Sequence, residues 1–430
     1  MLLDDNTTVA HPLICRYCGL LQRVPALATP AVAVCPRCGV VVRRTQRNSF
    51  DRSLALTLTA LVFFAVACAM PLMNVSASGI SLGANLFSGP EWLNHQGIWE
   101  LALVVLFTTV AAPLLKLLAT AYILLALRLP LRRLPRHLGA VFVWVERLRP
   151  WAMVEVYLLG VFVAYVKLVD LVRIDIGFAV YGLVGLMLTT IAADAMLDRQ
   201  AVWEALERRG ADRYPATSVE TAASPAAMAT QPVACEKCEK VALVAPAGRH
   251  LCRRCGAHLH HRKPHGVARC WALVITALVL YIPANVYPIL TVVQMGSGAP
   301  STILGGVEEL VTAKLYPLAL LVFFASIVVP VLKLLGLMLL LLSTQLGLAE
   351  RLVDRVRLYR IVSVIGRWSM IDVFMISILV ALVRFGAIVT IEPGMGAVSF
   401  AAVVIITIFA AELFDPRAMW DAAAATSSEA

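Results

Sequence analysis

Apolar stretches of about 20 residues or more alternate along this chain with short polar connections. In the first half they cover about 54–74, 97–127, 151–170 and 177–197, and in the second about 271–293, 314–343, 368–388 and 396–414. Each can cross a hydrocarbon core, which takes about 20 helical residues. The pattern therefore predicts eight transmembrane helices in two sets of four. The second run of each set is longer and is expected to tilt or project past the membrane.

The two sets are copies at an offset of 217 residues. Cys35 and Cys38 map onto Cys252 and Cys255, and Pro71 onto Pro288. Pro113 and Lys116 map onto Pro330 and Lys333; Trp151, Met153 and Glu155 onto Trp368, Met370 and Asp372. Lys167 maps onto Arg384, Asp198 onto Asp415 and Trp203 onto Trp420. With four spans per unit the copies share one orientation, related by an axis along the membrane normal.

Charge sets that orientation. The 128–150 connection carries Arg128, Arg132, Arg133, Arg136, Arg147 and Arg149, and its counterpart carries Arg351, Arg355, Arg357, Arg360 and Arg367. Segments 75–96 and 294–313 contain no Lys or Arg. Basic connections stay in the cytoplasm, so both ribbons, the linker and both termini are expected there and the two segments without Lys or Arg outside. Leu86, Gly89 and Glu91, echoed by Ile303, Gly306 and Glu308, read as short re-entrant or surface helices on the outer side.

Composition agrees with lipid as the solvent. Hydrophobic residues make up 60% of the chain and charged ones 15%, against about 25% charged in soluble domains. The net charge of +10 lies beside the apolar runs, where it meets anionic headgroups. That placement argues against a nucleic-acid partner. The expected organisation is a first cytoplasmic ribbon (1–48), a first four-helix unit (49–209), and a flexible Ala/Thr/Ser/Pro linker (210–233). A second ribbon (234–265), a second four-helix unit (266–420) and a disordered tail (421–430) follow.

Eight of the ten cysteines form Cys-x-x-Cys pairs: Cys15/Cys18, Cys35/Cys38, Cys235/Cys238 and Cys252/Cys255. Two residues between cysteines let a tight turn aim both sulfurs at one ion, and two such knuckles give the tetrahedral four-thiolate shell that suits zinc. Two zinc ions are expected; iron in a rubredoxin-like centre is the alternative, since its ligand set is the same. Closed four-thiolate sites leave no position for a substrate, so no catalysis is expected at them. Cys68 and Cys270 read as packing residues. His258, His260, His261 and His265 read either as metal ligands or, in preference, as part of a solvated basic segment facing the membrane surface.

Ionisable and hydroxyl groups inside spans are costly and usually face a protein interior or aqueous cavity. Thr109 and Lys116, like Ser326 and Lys333, lie two helical turns apart on one face, with Pro113 and Pro330 between them. A helical proline frees the carbonyl four residues earlier, here that of Thr109 or Ser326. The third helices add Glu155 in one unit and Ser369 with Asp372 in the other; the fourth add Thr190 and Thr407, with Asp194 and Glu412 nearer the cytoplasmic ends. Structural contacts locking the bundle are one reading. A polar centre for transport or proton relay is the other, centred on Ser326, Lys333, Ser369, Asp372 and Thr407 in the richer second half. Lys167, Asp170 and Arg384 read either as interface anchors or as a periplasmic rim of the same path.

Together these motifs resemble the paraquat-inducible protein A family over nearly the whole chain. The resemblance rests on the four cysteine pairs, Pro330-Val-Leu-Lys333-Leu, Arg367-Trp-Ser-Met-Ile-Asp372-Val-Phe and Ile303-Leu-Gly-Gly-Val-Glu308. Glu239 departs from it, standing where a knuckle glycine is usual. The resemblance implies an all-α polytopic protein of the Gram-negative inner membrane. It also implies a periplasmic partner with mammalian-cell-entry domains that form a lipid tunnel, and exchange of phospholipid with that tunnel in support of the outer membrane. The chain contains no Gly-x-x-x-x-Gly-Lys-Ser/Thr phosphate loop, so no nucleotide motor is evident. A membrane redox or metal-sensing protein, or a membrane anchor that transports nothing, are the rival readings.

Overall fold

A computed structural model of the chain describes residues 11–25, 27, 30–77, 80–130, 134–135, 137–168, 173–209, 231–244, 250–294, 297–366, 368–382 and 389–429. Asp170, Arg384 and most of the expected linker (210–230) lie outside the described residues.

The duplication is repeated element by element. In the first half, strands β1 (His11–Ile14), β2 (Leu21–Val24), β3 (Ala31–Val34) and β4 (Val41–Thr45) precede helix α1 (Ser49–Ala69). Strands β5 (Met73–Ala77) and β6 (Ile80–Ala84) and helix α2 (Ser88–His95) follow. Then come α3 (Trp99–Arg128), α4 (Leu138–Leu148), α5 (Val154–Leu168), β7 (Arg173–Ile176), α6 (Phe178–Met196) and α7 (Arg199–Arg208).

The second half runs β8 (Gln231–Ala234), β9 (Val241–Val244), β10 (His250–Leu251), β11 (His258–Leu259), α8 (Gly266–Val286), β12 (Leu290–Gln294), β13 (Ser297–Ser301) and α9 (Ile303–Thr312). It ends with α10 (Tyr316–Gln345), α11 (Leu352–Ile365), α12 (Ile371–Leu382), β14 (Val389–Pro393), α13 (Met395–Leu413) and α14 (Arg417–Glu429).

Seven helical stretches among the described residues are long and apolar enough to cross a membrane. The third run of the second half counts only as one stretch with α11, Leu352–Leu382, since α12 alone has 12 residues. In the first half α5 has 15 residues, about 22 Å at 1.5 Å per residue, against a core about 30 Å thick, and is not among the seven. The expected disordered tail is also corrected. Residues 421–429 continue α14, with Trp420 and Ala423 buried.

The chain is mostly helical but not all-α. At the far end of α1 and α8 from the cysteine hairpins, two three-stranded antiparallel sheets form, in the orders β6-β5-β7 and β13-β12-β14. In each, the hairpin after the first span pairs with the strand before the fourth: Met73 with Ile176, and Leu290 with Pro393. The Arg-rich connections are helical too. In α4, Leu138, Phe142 and Val145 turn inward.

The long helices α3 and α10 run 30 residues each. Just ahead of Pro113 and Pro330 both widen into a π-turn, at Phe107–Ala111 and Phe324–Val328. A π-turn shifts the hydrogen-bond register, which lets the proline sit at the start of a fresh α-segment, where its missing N–H costs least.

Within each half, the first helix packs along the fourth and the second, α1 on α6 and α3, α8 on α13 and α10. The halves meet through their third helices. Every residue of α12 is buried; α5 crosses it at Gly160, whose Cα faces Phe374, and Tyr157 meets Phe374 edge-on at 5.5 Å. Helix α2 presses on the same helix. A Cβ built at Gly89 would stand 2.3 Å from Ser377 Oγ and 3.0 Å from its carbonyl. At Gly306, the repeat equivalent, the nearest atom would be Ser301 Oγ at 3.6 Å. Gly89→Ala should therefore cost about 1–3 kcal/mol by overpacking, and Gly306→Ala about 0.5 kcal/mol or less. Thermal unfolding of the two variants in detergent checks this contrast.

The cysteine hairpins are exchanged between the halves. Cys15, Cys18, Cys35 and Cys38 lie in one apolar cluster with Val356, Phe414 and Trp420 of the second half. Tyr17 meets Tyr359 edge-on at 6.3 Å, and Arg37 lies 4.1 Å above the Trp420 ring. Cys235, Cys238, Cys252 and Cys255 cluster with Leu54, Phe142, Trp203 and Leu206 of the first half. There Glu207 of α7 accepts from Lys240 and from Arg254 Nε at 2.9 Å. Burial would raise the Glu207 pKa, but hydrogen bonds from Lys240 and Arg254 outweigh it and hold the carboxyl below its ordinary value.

Candidate functional site

Each Cys-x-x-Cys joins the two strands of a hairpin, β1-β2, β3-β4, β8-β9 or β10-β11. The first cysteine donates its N–H to the carbonyl five residues on, as Cys15 does to Leu20 at 3.0 Å and Cys252 to Ala257 at 2.7 Å. The residue after the second cysteine takes a left-handed backbone: Gly19 (φ 71°), Gly39 (70°), Gly256 (72°) and Glu239 (59°). A non-glycine pays a steric penalty there. Glu239 is also held by its side chain, which accepts from Gln200 at 3.1 Å and faces Arg16 at 3.7 Å.

The sulfurs of each group lie within 4.8 Å of one another. Cys15–Cys38 is 3.5 Å, Cys18–Cys35 3.6 Å, Cys235–Cys255 3.5 Å and Cys238–Cys252 3.4 Å. An ion with bonds of about 2.3 Å to four tetrahedral sulfurs separates them by about 3.8 Å. The donor set and its convergence fit one tetrahedral metal ion per group. All four histidines after the second group lie outside these metal-competent sets. Cys270 donates to Ala410 O at 3.3 Å, as a packing residue can.

The polar residues of the bundle do not form one centre. They divide between two cavities, one at each end. The cavity at the hairpin end has a volume of ≈ 730 Å³ and gathers Lys116, Glu155, Thr190 and Lys333. Arg16 and Arg44 of the first hairpin pair, and Arg149, Asp194, Arg199 and Glu412, complete its charged lining. Lys116 donates to Asp194 at 2.7 Å, with Arg149 3.6 Å from the same carboxylate. Lys333, only 2% exposed, has no such partner: its Nζ makes no hydrogen bond among the described residues.

The repeat explains the difference. At the positions equivalent to Asp194 and Arg149 the second half has Ala411 and Gly366. The bare Cα of Gly366 makes the room that the Lys333 ammonium occupies, since a Cβ there would lie 2.6 Å from Nζ.

At the far end a cavity of ≈ 50 Å³ is lined by Ser326, Asp372 and Lys167, with Ser301, Thr302 and Glu309 from the outer segment. Both Asp372 oxygens lack a hydrogen-bond partner among the described residues. Ser326 stands beside that carboxylate, but its hydroxyl is committed to Val322 O at 2.7 Å. Thr109 likewise donates to Val105 O at 2.7 Å and Thr407 to Val404 O at 2.9 Å. Ser369 is buried with its hydroxyl unpaired. Thr109, Ser369 and Thr407 belong to neither lining. So the hydroxyl and ammonium expected to share a face of α10 open to different cavities, and Lys333 and Asp372 do not pair.

A third recess of ≈ 560 Å³ lies between α5 and α6. Leu158, Leu159, Phe162, Val184 and Met187 line it, with Trp368 of the second half and Glu155 at its polar end. The sequence singled out Glu155 but not this groove, because the groove comes from how two helices splay apart. Arg16 and Arg44 were also missed. They reach the cavity only because the hairpins fold back under the bundle.

The family model described as paraquat-inducible protein A matches residues 50–207 and 267–424. The intermembrane transport protein PqiA of Escherichia coli is 32% identical over 418 residues, 97% of each chain. The lipophilic envelope-spanning tunnel protein A of the same organism is 32% identical over 408 residues, 95% of this chain and 91% of that one. A probable intermembrane transport protein of Haemophilus influenzae is 26% identical over 410 residues, 95% of each. No solved structure matches the chain. The two matched segments, at the 217-residue offset seen in the helices and cysteine hairpins, establish that this chain belongs to the paraquat-inducible protein A family.

Proposed function

We propose that this protein moves phospholipid between a Gram-negative inner membrane and a periplasm-spanning tunnel protein with mammalian-cell-entry domains, supporting the outer-membrane barrier. The relatives named for intermembrane transport and for an envelope-spanning tunnel support this reading. The observation that carries it is a pair of buried ionisable groups, Lys333 and Asp372, on adjoining helices of the bundle, neither of them hydrogen-bonded among the described residues. A structural core tolerates such groups poorly. In a membrane protein they mark a path for a polar or charged species.

In this reading α5 is the eighth span, held in the membrane by its contact with the buried α12. Hairpins and termini face the cytoplasm, and the three-stranded sheets face the periplasm, where a tunnel would dock. The eight cysteines hold two zinc ions in a structural role. Ser326, Asp372 and Lys167, with Glu309, form the periplasmic gate. Lys333, Lys116, Glu155 and Thr190 form the cytoplasmic vestibule, and Ser369 and Thr407 lie in the packed centre between them. The protein carries lipid rather than transforming it.

A photo-crosslinking residue at Ile327, beside Ser326, tests the path. Phospholipid adducts should exceed those at Leu332, which is 58% exposed on the outer surface of the same helix. Equal adducts at both positions would refute a lipid path through the second half.

A further inference from the structure

We infer that the hairpin-end cavity and the apolar groove form one amphipathic seat for a single glycerophospholipid, its phosphate on Lys333 and one acyl chain between α5 and α6. This rests on the transport reading and says where the lipid waits.

Glu155 lines both recesses. Gly366 lines the cavity and Trp368, two residues on, lines the groove. Polar and apolar spaces therefore adjoin at Glu155. Both volumes, ≈ 730 and ≈ 560 Å³, fall within the range of about 300–1,000 Å³ typical of small-molecule sites.

The cavity carries six cations against three acids, so its occupant is an anion. Most of that charge is already engaged. Lys116 and Arg149 share Asp194, and Arg199 pairs with Glu146 at 3.0 Å. Arg16 faces Glu239 and Arg44 is exposed to solvent. Lys333 is the buried cation left bare among the described residues, because Ala411 and Gly366 replace the acid and the arginine of the first copy. An ammonium that is 2% exposed and makes no hydrogen bond among the described residues is poised for an anionic oxygen. Inorganic phosphate would satisfy Lys333 but leave the groove unused. A phospholipid satisfies both.

The repeat itself supplies the test. Ala411→Asp gives Lys333 the acid that Lys116 already has. Phospholipid retained by the purified protein, counted by mass spectrometry, should fall at least fivefold. Adducts from a photo-crosslinker at Leu159 should fall in parallel, with those at Leu332 unchanged. Lys333→Met removes the charge without adding one and should give the same losses, so a folding defect confined to Ala411→Asp does not rescue the idea. Unchanged retention and Leu159 adducts in Lys333→Met would overturn it. So would displacement of the lipid by millimolar inorganic phosphate, which would mark a free-phosphate site. A protein that transfers phospholipid between vesicles yet gives no Leu159 adduct would lose this seat and keep the transport reading. Loss of transfer as well would take the reading with it.

Discussion

Cys252→Ser is expected to loosen the first half of the molecule as well as the hairpins in which Cys252 sits. The second hairpin pair has almost no core of its own: β10 and β11 are two residues each. In the metal-bound reading ligation adds to its docking on the first half, and in small zinc modules ligation supplies about 10–16 kcal/mol of apparent binding free energy at neutral pH. Once it unfolds, Phe142 of α4 and Trp203 of α7 lose the surface that buries them. Glu207 loses Lys240 and Arg254. Hydrogen exchange should therefore rise in 231–259 and, across the exchange, in 138–148 and 199–208, with little change in 352–365. A strong chelator should produce the same pattern and its mirror image together, since it strips both groups. Exchange confined to 231–259 would contradict the exchanged docking.

Asp372→Asn is expected to stop transport while making the protein more stable. The carboxylate is 4% exposed and accepts no hydrogen bond among the described residues. Burying that charge is costly even with Lys167 lining the same cavity, so a neutral amide of the same shape should be carried at lower cost. Groups kept in that state against stability are kept for function. Cells relying on the variant should show the detergent sensitivity of cells lacking the protein, with transfer reduced at least tenfold, a barrier change of about 1.4 kcal/mol. The unfolding temperature of the purified variant should rise. An anchor that transports nothing predicts normal detergent resistance, and that result would exclude the gate assigned to Asp372.

What the sequence reveals follows from the range of the forces involved. Apolar runs and cysteine spacing are local patterns, so the helices and both metal groups are legible from residues that lie close together. The 217-residue offset then forecasts the boundaries of α8, α10 and α13 from those of α1, α3 and α6. The three-stranded sheets are not legible. Met73–Ala77 and Ile80–Ala84 are short and include a glycine, and β5 is completed by Arg173–Ile176, about 100 residues away. Helix α4 is hidden because its 11 residues are too few to read as a span and are flanked by arginines. The division of the polar centre was invisible for a subtler reason. Seven-residue spacing puts Ser326 and Lys333 on one face only if the helix is regular. The π-turn at Phe324–Val328 changes the register between them, and α12 crosses the bundle so that Asp372 opens to the far end. The bare Lys333 was legible in part: the identity of residue 411 is in the sequence, but its importance appears only once Asp194 is seen on Lys116.

The central claim is that phospholipid passes through this protein, and vesicle transfer measures that directly. Donor vesicles containing the reconstituted protein and a fluorescent phospholipid are mixed with the soluble periplasmic part of the proposed tunnel partner and with acceptor vesicles. The account predicts transfer that needs both proteins and falls at least tenfold with Asp372→Asn. Transfer that is equally fast with Asp372→Asn, or without this protein in the donor membrane, would contradict it.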